Sequence, residues 1–223
     1  MCTFKIAIDG PAGVGKSSTA CEVARILGFS RIDSGSIYRA VTFLLIKKFG
    51  SDIDITRKNE IEIFLKDMNI SIKNERIFSN EEDLSKNLRD EIVEKKVALI
   101  AKESYIRDIV KEIQIKAANT SKSGIIIDGR DIGTVILPNA NLKIFLTAKD
   151  EVRAKRRYEE YVEKSSVNFD TILDEIKKRD YEDINRKTAP LKCAEDAIII
   201  DNSDMTFQEQ VEIIVDLVKK KMV

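Results

Sequence analysis

The chain has 223 residues, 43% of them hydrophobic, which suits one α/β domain with an insertion or two small domains. Its 38 Lys and Arg balance 38 Asp and Glu, which disfavours a general binder of nucleic acid or of an anionic membrane. With no histidine and three scattered cysteines (Cys2, Cys21, Cys193), a structural zinc site is not expected, and no apolar run approaches the ~20 residues that cross a bilayer.

The first apolar run, "FKIAI" (4–8), reads as a buried strand and leads into "AIDGPAGVGKSST" (7–19). This matches G-x-x-x-x-G-K-[ST], the phosphate-cradling P-loop. Its residues Gly10, Pro11, Ala12, Gly13, Val14, Gly15, Lys16, Ser17 and Ser18 are the candidate ATP-binding segment. The glycines allow a tight turn whose N–H groups point at phosphate oxygens, and the helix expected over 16–27 adds its positive end. Lys16 supplies charge to the bridging phosphates, and Ser17 offers its hydroxyl directly to Mg²⁺. A P-loop this close to residue 1 leaves no room for a removable leader, so an intracellular, cytoplasmic protein is expected.

The second strand, "SRID" (30–33), runs into "DSGSIYRA" (33–40) and a helix over 36–48. Residues 50–88 interrupt the alternation of strands and helices. Within them "DMNISIKNERIFSNEEDL" reads as a hairpin turning at Asn74-Glu75. Residues 89–118 read as two helices broken near Ser104. Three more strands follow: "GIIID" (124–128), "LKIFL" (142–146) and "AIIID" (197–201). Short strands alternating with helices predict a parallel sheet of five strands. Three of them end in Asp, at the sheet edge where ligands bind in such folds. Asp128, and Asp33 in the same way, are candidates to hold a magnesium-bound water.

The segment 150–188 is highly charged and poor in large apolar residues, so it is expected to be a mobile cover rather than core. In "VRAKRRYEE" (152–160), Arg153, Arg156 and Arg157 share a helix face. "KRDYEDINRKTAPL" adds Arg179, Asp183 and Arg186, and these arginines have no obvious partners in the chain. A capping box of Thr206 and Glu209 opens a last helix over 207–221. Its Phe207, Val211, Ile214, Val215 and Val218 follow helical spacing and are expected to pack on the sheet.

Tyr38 and Arg39 in the first turns after the second strand, and Arg130 and Asp131 just after Asp128, read as an acceptor site for a phosphate. The arginines of the cover read as a lid closing on a transferring phosphoryl group, because that transition state spreads negative charge over several oxygens. An alcohol acceptor usually needs a base. A phosphate monoester, with a second pKa of about 6, does not. A histidine-free chain with two arginine clusters therefore fits phosphate-on-phosphate transfer. A kinase for UMP, AMP or another small phosphate acceptor stays open on the residues alone. A nucleotide switch is disfavoured by the lack of an N-K-x-D motif.

The stretches "IDGPAGVGKSS", "IDSGSIYRAVT", "IDGRDIGTVILP", "KIFLTA", "RAKRR" and "RDYEDINRKTAPL…AEDAIIID" together resemble bacterial-type cytidylate kinases from about residue 4 to the C-terminus. The resemblance implies a three-layer P-loop fold. It implies a core of 1–49, 93–149 and 189–223, a monophosphate-binding insertion of about 50–92 with a small β element, and a helical lid of about 150–188. It implies Mg-dependent transfer from ATP to CMP or dCMP, by a monomer with no nucleic-acid or membrane partner. By position it gives Ser34, Tyr38, Arg39 and Arg130 to the acceptor, with the arginines on its phosphate. Asp131 and Arg107 go to the cytosine edge, and Asp183, Arg179 and Arg186 to the acceptor sugar and phosphate. Arg153 and Arg157 go to the lid; Lys16, Arg130, Arg153, Arg157 and Arg186 are then the catalytic set. One departure is Ala98, where the family usually has a serine that helps contact the base; its loss is expected to favour UMP as an acceptor more than the family pattern does.

Overall fold

The computed structural model describes residues 3–73, 75–121, 123–162 and 168–222. Strand β1 (Lys5–Asp9) carries the apolar run Ile6, Ala7 and Ile8, buried on both faces as the centre of a parallel sheet requires. Its neighbours are β6 (Ile125–Gly129) and β7 (Leu142–Thr147), both parallel to it. The full sheet has five strands in the order β2-β6-β1-β7-β8, with β2 at Ser30–Asp33 and β8 at Ile198–Asp201. The five-stranded parallel sheet read from the sequence is therefore present. β8 closes one edge, and there the burial becomes interrupted.

The register fixes what lies at the carboxyl end. Ile8 stands opposite Asp128 and Asp9 opposite Gly129, so β1 and β6 finish level. The chain leaves β1 at Gly10, whose φ is +151° and where any Cβ would run into the Leu146 carbonyl. Only glycine fits that turn. Gly15, at φ +89°, then opens helix α1 (Lys16–Leu27).

By contacts the chain groups into two compact units, Met1–Phe29 with Ser123–Val223, and Ser30–Lys122. In the first, the core joins Ile6, Ile8, Ile126, Ile144 and Leu146 to Ala20 and Val23 of α1 and to the last helix, α8 (Phe207–Met222). Each such aliphatic side chain gives roughly 1.5–3 kcal/mol by leaving water. Val211, Ile214, Val215 and Val218 pack as the spacing predicts; Phe207 does not. It remains 49% exposed because it is the first helical residue, a turn before the packed stripe begins. The capping box is present: the Thr206 N–H donates to the Glu209 carboxylate at 2.8 Å, and the Glu209 N–H to the Thr206 hydroxyl at 3.2 Å.

The charged segment forms α6 (Asp150–Val162) and α7 (Phe169–Asn185). It has a small core of its own, Ala154, Ile172 and Ile176, with Tyr158 and Phe169 edge-to-face at 6.3 Å. That corrects the view of it as a cover without core; the apolar positions of α6 and α7 are few but meet on one seam. Residues 163–167 of the expected cover lie outside the described residues, as does Cys2.

The second unit holds β2, α2 (Ser34–Phe49), α3 (Lys58–Asp67), a small antiparallel sheet, α4 (Glu91–Ile100) and α5 (Ser104–Thr120). The break between α4 and α5 falls at Ala101–Glu103, next to the expected Ser104. The hairpin pairs β3 (Ser71–Lys73) with β4 (Arg76–Ser79), and β5 (Glu82–Asp83) adds a third strand. Lys73 opposes Arg76, so the turn has two residues. Glu75 takes φ +62°, and Asn74 lies outside the described residues. Helix α3 has no counterpart among the elements read from the sequence. Its ten residues bury only Ile61 and Leu65, one i,i+4 pair, too short a pattern to stand out.

Candidate functional site

In the first unit the P-loop, the end of β6 and the C-terminal half of α7 come together around buried charge. Lys16 is 6% exposed, and its ammonium donates to the Pro11 carbonyl at 2.7 Å. Burial, and after it the Arg130 guanidinium, pushes Lys16 well below the ordinary lysine range, while Asp128 and Asp9 pull it back. Arg179 adds to the lowering. Lys16, Arg130 and Arg179 thus form one concentration of positive potential, which an anionic phosphate chain relieves.

The Ser17 hydroxyl donates to the Asp128 carboxylate at 2.7 Å. A hydroxyl and a carboxylate are hard oxygen donors, and Mg²⁺ is ordinarily held by one or two such groups together with substrate phosphates. The donor set fits that ion. Among the described residues no group of three or more His, Cys, Asp or Glu forms a metal cage, which this mode of binding does not need. Asp33 belongs to the second unit. It caps α2, accepting from the Gly35 N–H at 2.9 Å and the Ser36 hydroxyl at 2.8 Å. Asp201, the third strand-ending Asp, likewise holds its own turn through Ser203.

A run of alternating charges follows β6. Arg130 Nε meets Asp183 at 2.8 Å, Asp183 meets Arg186 Nη1 at 3.3 Å, and Arg186 Nη2 meets Asp131 at 3.4 Å. Burial works to raise the Asp183 carboxyl, but Arg130, with Arg186 and Arg179, wins and holds it below the usual carboxylate range. Arg186 Nε also donates to the Ala189 carbonyl at 2.6 Å, and Ala189 is held at φ +48°. A non-glycine residue in that region costs of order 1–3 kcal/mol and persists only where its surroundings fix it. The four predicted residues Arg130, Asp131, Asp183 and Arg186 are thereby brought together.

The arginines of α6 have partners after all. Arg156 donates to the side chain and carbonyl of Asn202, and Arg153 is engaged through all three of its nitrogens by Ala148, Ala12, Asp150 and Asp180. The expectation that these side chains lack partners is corrected: the partners are mostly backbone carbonyls and loop groups, which charge patterning in a sequence does not display. Arg157 also takes part in the structure's interactions.

In the second unit, Ser34 is buried and its hydroxyl accepts from Gln114 at 2.7 Å. Arg39 pairs with Glu94 at 2.8 Å. The Arg107 guanidinium lies over the Tyr38 ring, 5.5 Å from its centroid, and donates to the Ala101 carbonyl at 3.1 Å. Ser34, Tyr38 and Arg39 share the first turns of α2, as read.

Sequence reasoning passed over Asp9. It is 4% exposed, and its two carboxylate oxygens accept from the backbone N–H groups of Ile132 (2.8 Å) and Gly133 (2.7 Å). These open a π-helical turn, Ile132–Ile136, directly after Asp131. Asp9 thus ties the end of β1 to the segment carrying Arg130 and Asp131. The signal was present: β1, like β2, β6 and β8, carries an Asp at or next to its last position. Also unread was the buried set Asn202, Gln210 and Thr19, in which Asn202 donates to the Val14 carbonyl of the P-loop at 2.9 Å and to Gln210, and Gln210 to Thr19.

Burial lifts the Asp9 carboxyl from 3.8 to about 6, against the lowering from its two N–H donors. The folded value exceeds the unfolded one, so the folded chain holds more proton between about pH 4 and pH 6. The group's contribution is then fully present below about pH 4 and lost as pH rises through 6. Asp9→Asn cannot titrate, and it sets an NH₂ against one of two N–H donors, a cost of about 1–3 kcal/mol. Wild type is expected to be the more stable near pH 4, and its lead to shrink by on the order of 3 kcal/mol by pH 7. Urea melts of both proteins across that range check this; a lead that grows with pH contradicts it.

A family model described as Cytidylate kinase matches residues 6–220. The chain belongs to the cytidylate kinase family. It is 43% identical over 219 residues to a protein named cytidylate kinase from Caldanaerobacter subterraneus subsp. tengcongensis, covering 98% of this chain and 96% of that one. A cytidylate kinase from Acholeplasma laidlawii is 42% identical over 220 residues, again covering 98% of this chain and 96% of its own length. Among solved structures, TT1252 from Thermus thermophilus covers 100% of both chains at TM-score 0.50 and 14% identity, a likeness of fold alone. The family's reaction is the magnesium-dependent transfer of the ATP γ-phosphoryl group to CMP or dCMP, and the chain is a phosphotransferase of the nucleoside monophosphate kinase class.

Proposed function

We propose that this cytidylate kinase family member binds ATP on Gly10–Ser18 and passes its γ-phosphoryl group to CMP or dCMP through Lys16, Arg130, Arg157 and Arg186. The observation that carries the reading is the half-buried run Arg130–Asp183–Arg186–Asp131 in the same unit as the P-loop. Two arginines held by one carboxylate are positioned for a phosphate without giving up their charge. Asp131 reads the cytosine edge, while Arg179 and Asp183 serve the acceptor's phosphate and sugar. In the second unit Ser34, Tyr38, Arg39 and Arg107 contact the acceptor nucleotide; an incoming phosphate displaces Glu94 from Arg39.

Mg²⁺ would be held by Ser17 directly and by Asp128 through water, and would supply charge neutralisation at the phosphates. Asp33 is the second residue assigned to the ion through water. The acceptor phosphate is largely dianionic at neutral pH, so no protein base is required. The arginines orient it and meet the charge that spreads over the transferring group. A monomer in the cytoplasm completes the reading, in keeping with the fact that no described helix is long and apolar enough to cross a membrane.

Ala98, exposed on α4, favours a second reading in which UMP is also a good acceptor. ADP release measured with ATP and, separately, CMP, dCMP, UMP and AMP tests both. CMP and dCMP are expected to give the highest kcat/KM. Equal release with no acceptor present would overturn the kinase reading.

A further inference from the structure

Ala12 lies in the P-loop, yet neither of its backbone polar groups faces outward. Its N–H donates to the Asp180 carboxylate at 3.0 Å, and its carbonyl accepts from Arg153 Nη1 at 2.7 Å. Arg153 Nη1 also meets the other Asp180 oxygen at 2.6 Å. The two side chains close a ring around a single P-loop residue. Asp180 comes from α7 and Arg153 from α6. Arg153 is 3% exposed, and its remaining nitrogens go to the Ala148 carbonyl at 3.2 Å and to Asp150 at 2.6 Å. No nitrogen of this guanidinium is left over for a phosphate in this conformation. Beside the ring, Gly13 lies against the same two helices: a Cβ there would sit 3.5 Å from the Arg153 Cβ and 3.7 Å from Ile176.

The Ala12 N–H belongs to the Pro11–Ala12 peptide and its C=O to the Ala12–Gly13 peptide, so side-chain bonds to both fix the planes on either side of Ala12. The planes that follow, Gly13 to Gly15, carry the N–H groups that a phosphate needs, and their aim depends on where Ala12 starts them. Charge-assisted bonds of this kind, desolvated, hold geometry far better than a flexible glycine-rich loop does by itself.

We propose that Asp180 and Arg153 are positioning residues that latch helices α6 and α7 to the two peptides flanking Ala12, so that the base of the lid sets the shape of the phosphate cradle and hence the affinity for ATP. This rests on the nucleotide reading above, but it assigns Arg153 a role other than contact with the transferring group and brings in Asp180, which touches no reacting atom. It also makes the coupling reciprocal: whatever fixes α6 and α7 sharpens the cradle, and a filled cradle fixes α6 and α7.

The test uses Asp180→Asn, which keeps the shape and one acceptor for the Ala12 N–H, and Asp180→Ala, which removes both. Calorimetric titration with Mg-ATP and separately with CMP gives the two affinities. Asp180→Ala is expected to weaken ATP binding at least about tenfold, to raise KM for ATP accordingly, and to leave CMP binding within twofold. Asp180→Asn falls between. A variant merely damaged in folding would lose both ligands alike, and that equal loss, or ATP affinity within twofold of wild type, overturns the latch. Hydrogen exchange on the ligand-free proteins is independent of any nucleotide: amides of 10–17 in Asp180→Asn are expected to exchange about tenfold faster while those of β6 do not change. Unchanged exchange at 10–17 overturns the latch even if ATP proves to be the wrong ligand.

Discussion

Lys16→Ala is expected to lower the rate of phosphoryl transfer by about a thousandfold or more and to leave the fold intact. Positive charges at the bridging phosphates can be worth 10³-fold or more in such reactions. The structure adds a second half to the expectation. Lys16 is buried, with its charge opposed first by burial and then by Arg130. Folding therefore carries a cost at this position that alanine removes, so the variant's Tm is expected to equal or exceed that of the wild type. Strain of this kind, held for the sake of activity, is a common source of stability gained when function is deleted. Calorimetry and an ADP-release assay on the same preparation check both halves. A variant that keeps more than about a tenth of wild-type turnover, or one that melts well below wild type, contradicts the role given to this lysine.

Asp131→Ala is expected to lower kcat/KM for CMP far more than for UMP. Cytosine presents an amino donor where uracil presents a carbonyl acceptor. A carboxylate at that edge attracts the first and repels the second. A site built on a buried hydrogen bond can discriminate by factors up to about 10⁴, well beyond an apolar pocket. Asp131 is buried, and Arg186 Nη2 stands 3.4 Å from one of its carboxylate oxygens. Its backbone carbonyl accepts from Val135 and Ile136, so removing the side chain leaves the π-helical turn its own bonds. The loss should therefore show in the ratio of the two substrates and little in Tm. Ala98→Ser is expected to widen the ratio modestly, since one neutral hydrogen bond is worth about 1 kcal/mol. Paired kcat/KM values for the two monophosphates decide it: an unchanged ratio in Asp131→Ala means the base is read elsewhere.

Much of this fold is legible in the order of the amino acids because its signals are local. The P-loop declares itself by glycines whose backbone freedom no other residue offers, and by a lysine and serine at fixed spacing. The strands of the first unit declare themselves because a central parallel strand is buried on both faces and must be apolar throughout. The capping box at Thr206 and Glu209 is a contact between residues three apart. In each case the physical cause acts over a few residues, so the sequence alone determines the outcome. The same holds for the family, whose motifs recur in order along nearly the whole chain.

Tertiary structure alone decided which of several equivalent residues takes which part. Four strands of the parallel sheet carry an Asp at or next to their last position, and nothing local distinguishes them. Asp128 meets Ser17 because the register of β1 and β6 brings their ends level. Asp9 turns to two backbone donors 123 and 124 residues away. Asp33 and Asp201 close their own turns. The arginines of α6 are alike in sequence, yet Arg153 holds the Ala12 carbonyl and Arg156 holds Asn202. Their partners are backbone oxygens and side chains far along the chain, and a hydrogen bond of that kind leaves no periodicity to read. What a charged side chain does is fixed by which acceptors the fold brings within about 3 Å of it, and that distance exists only once the chain has folded.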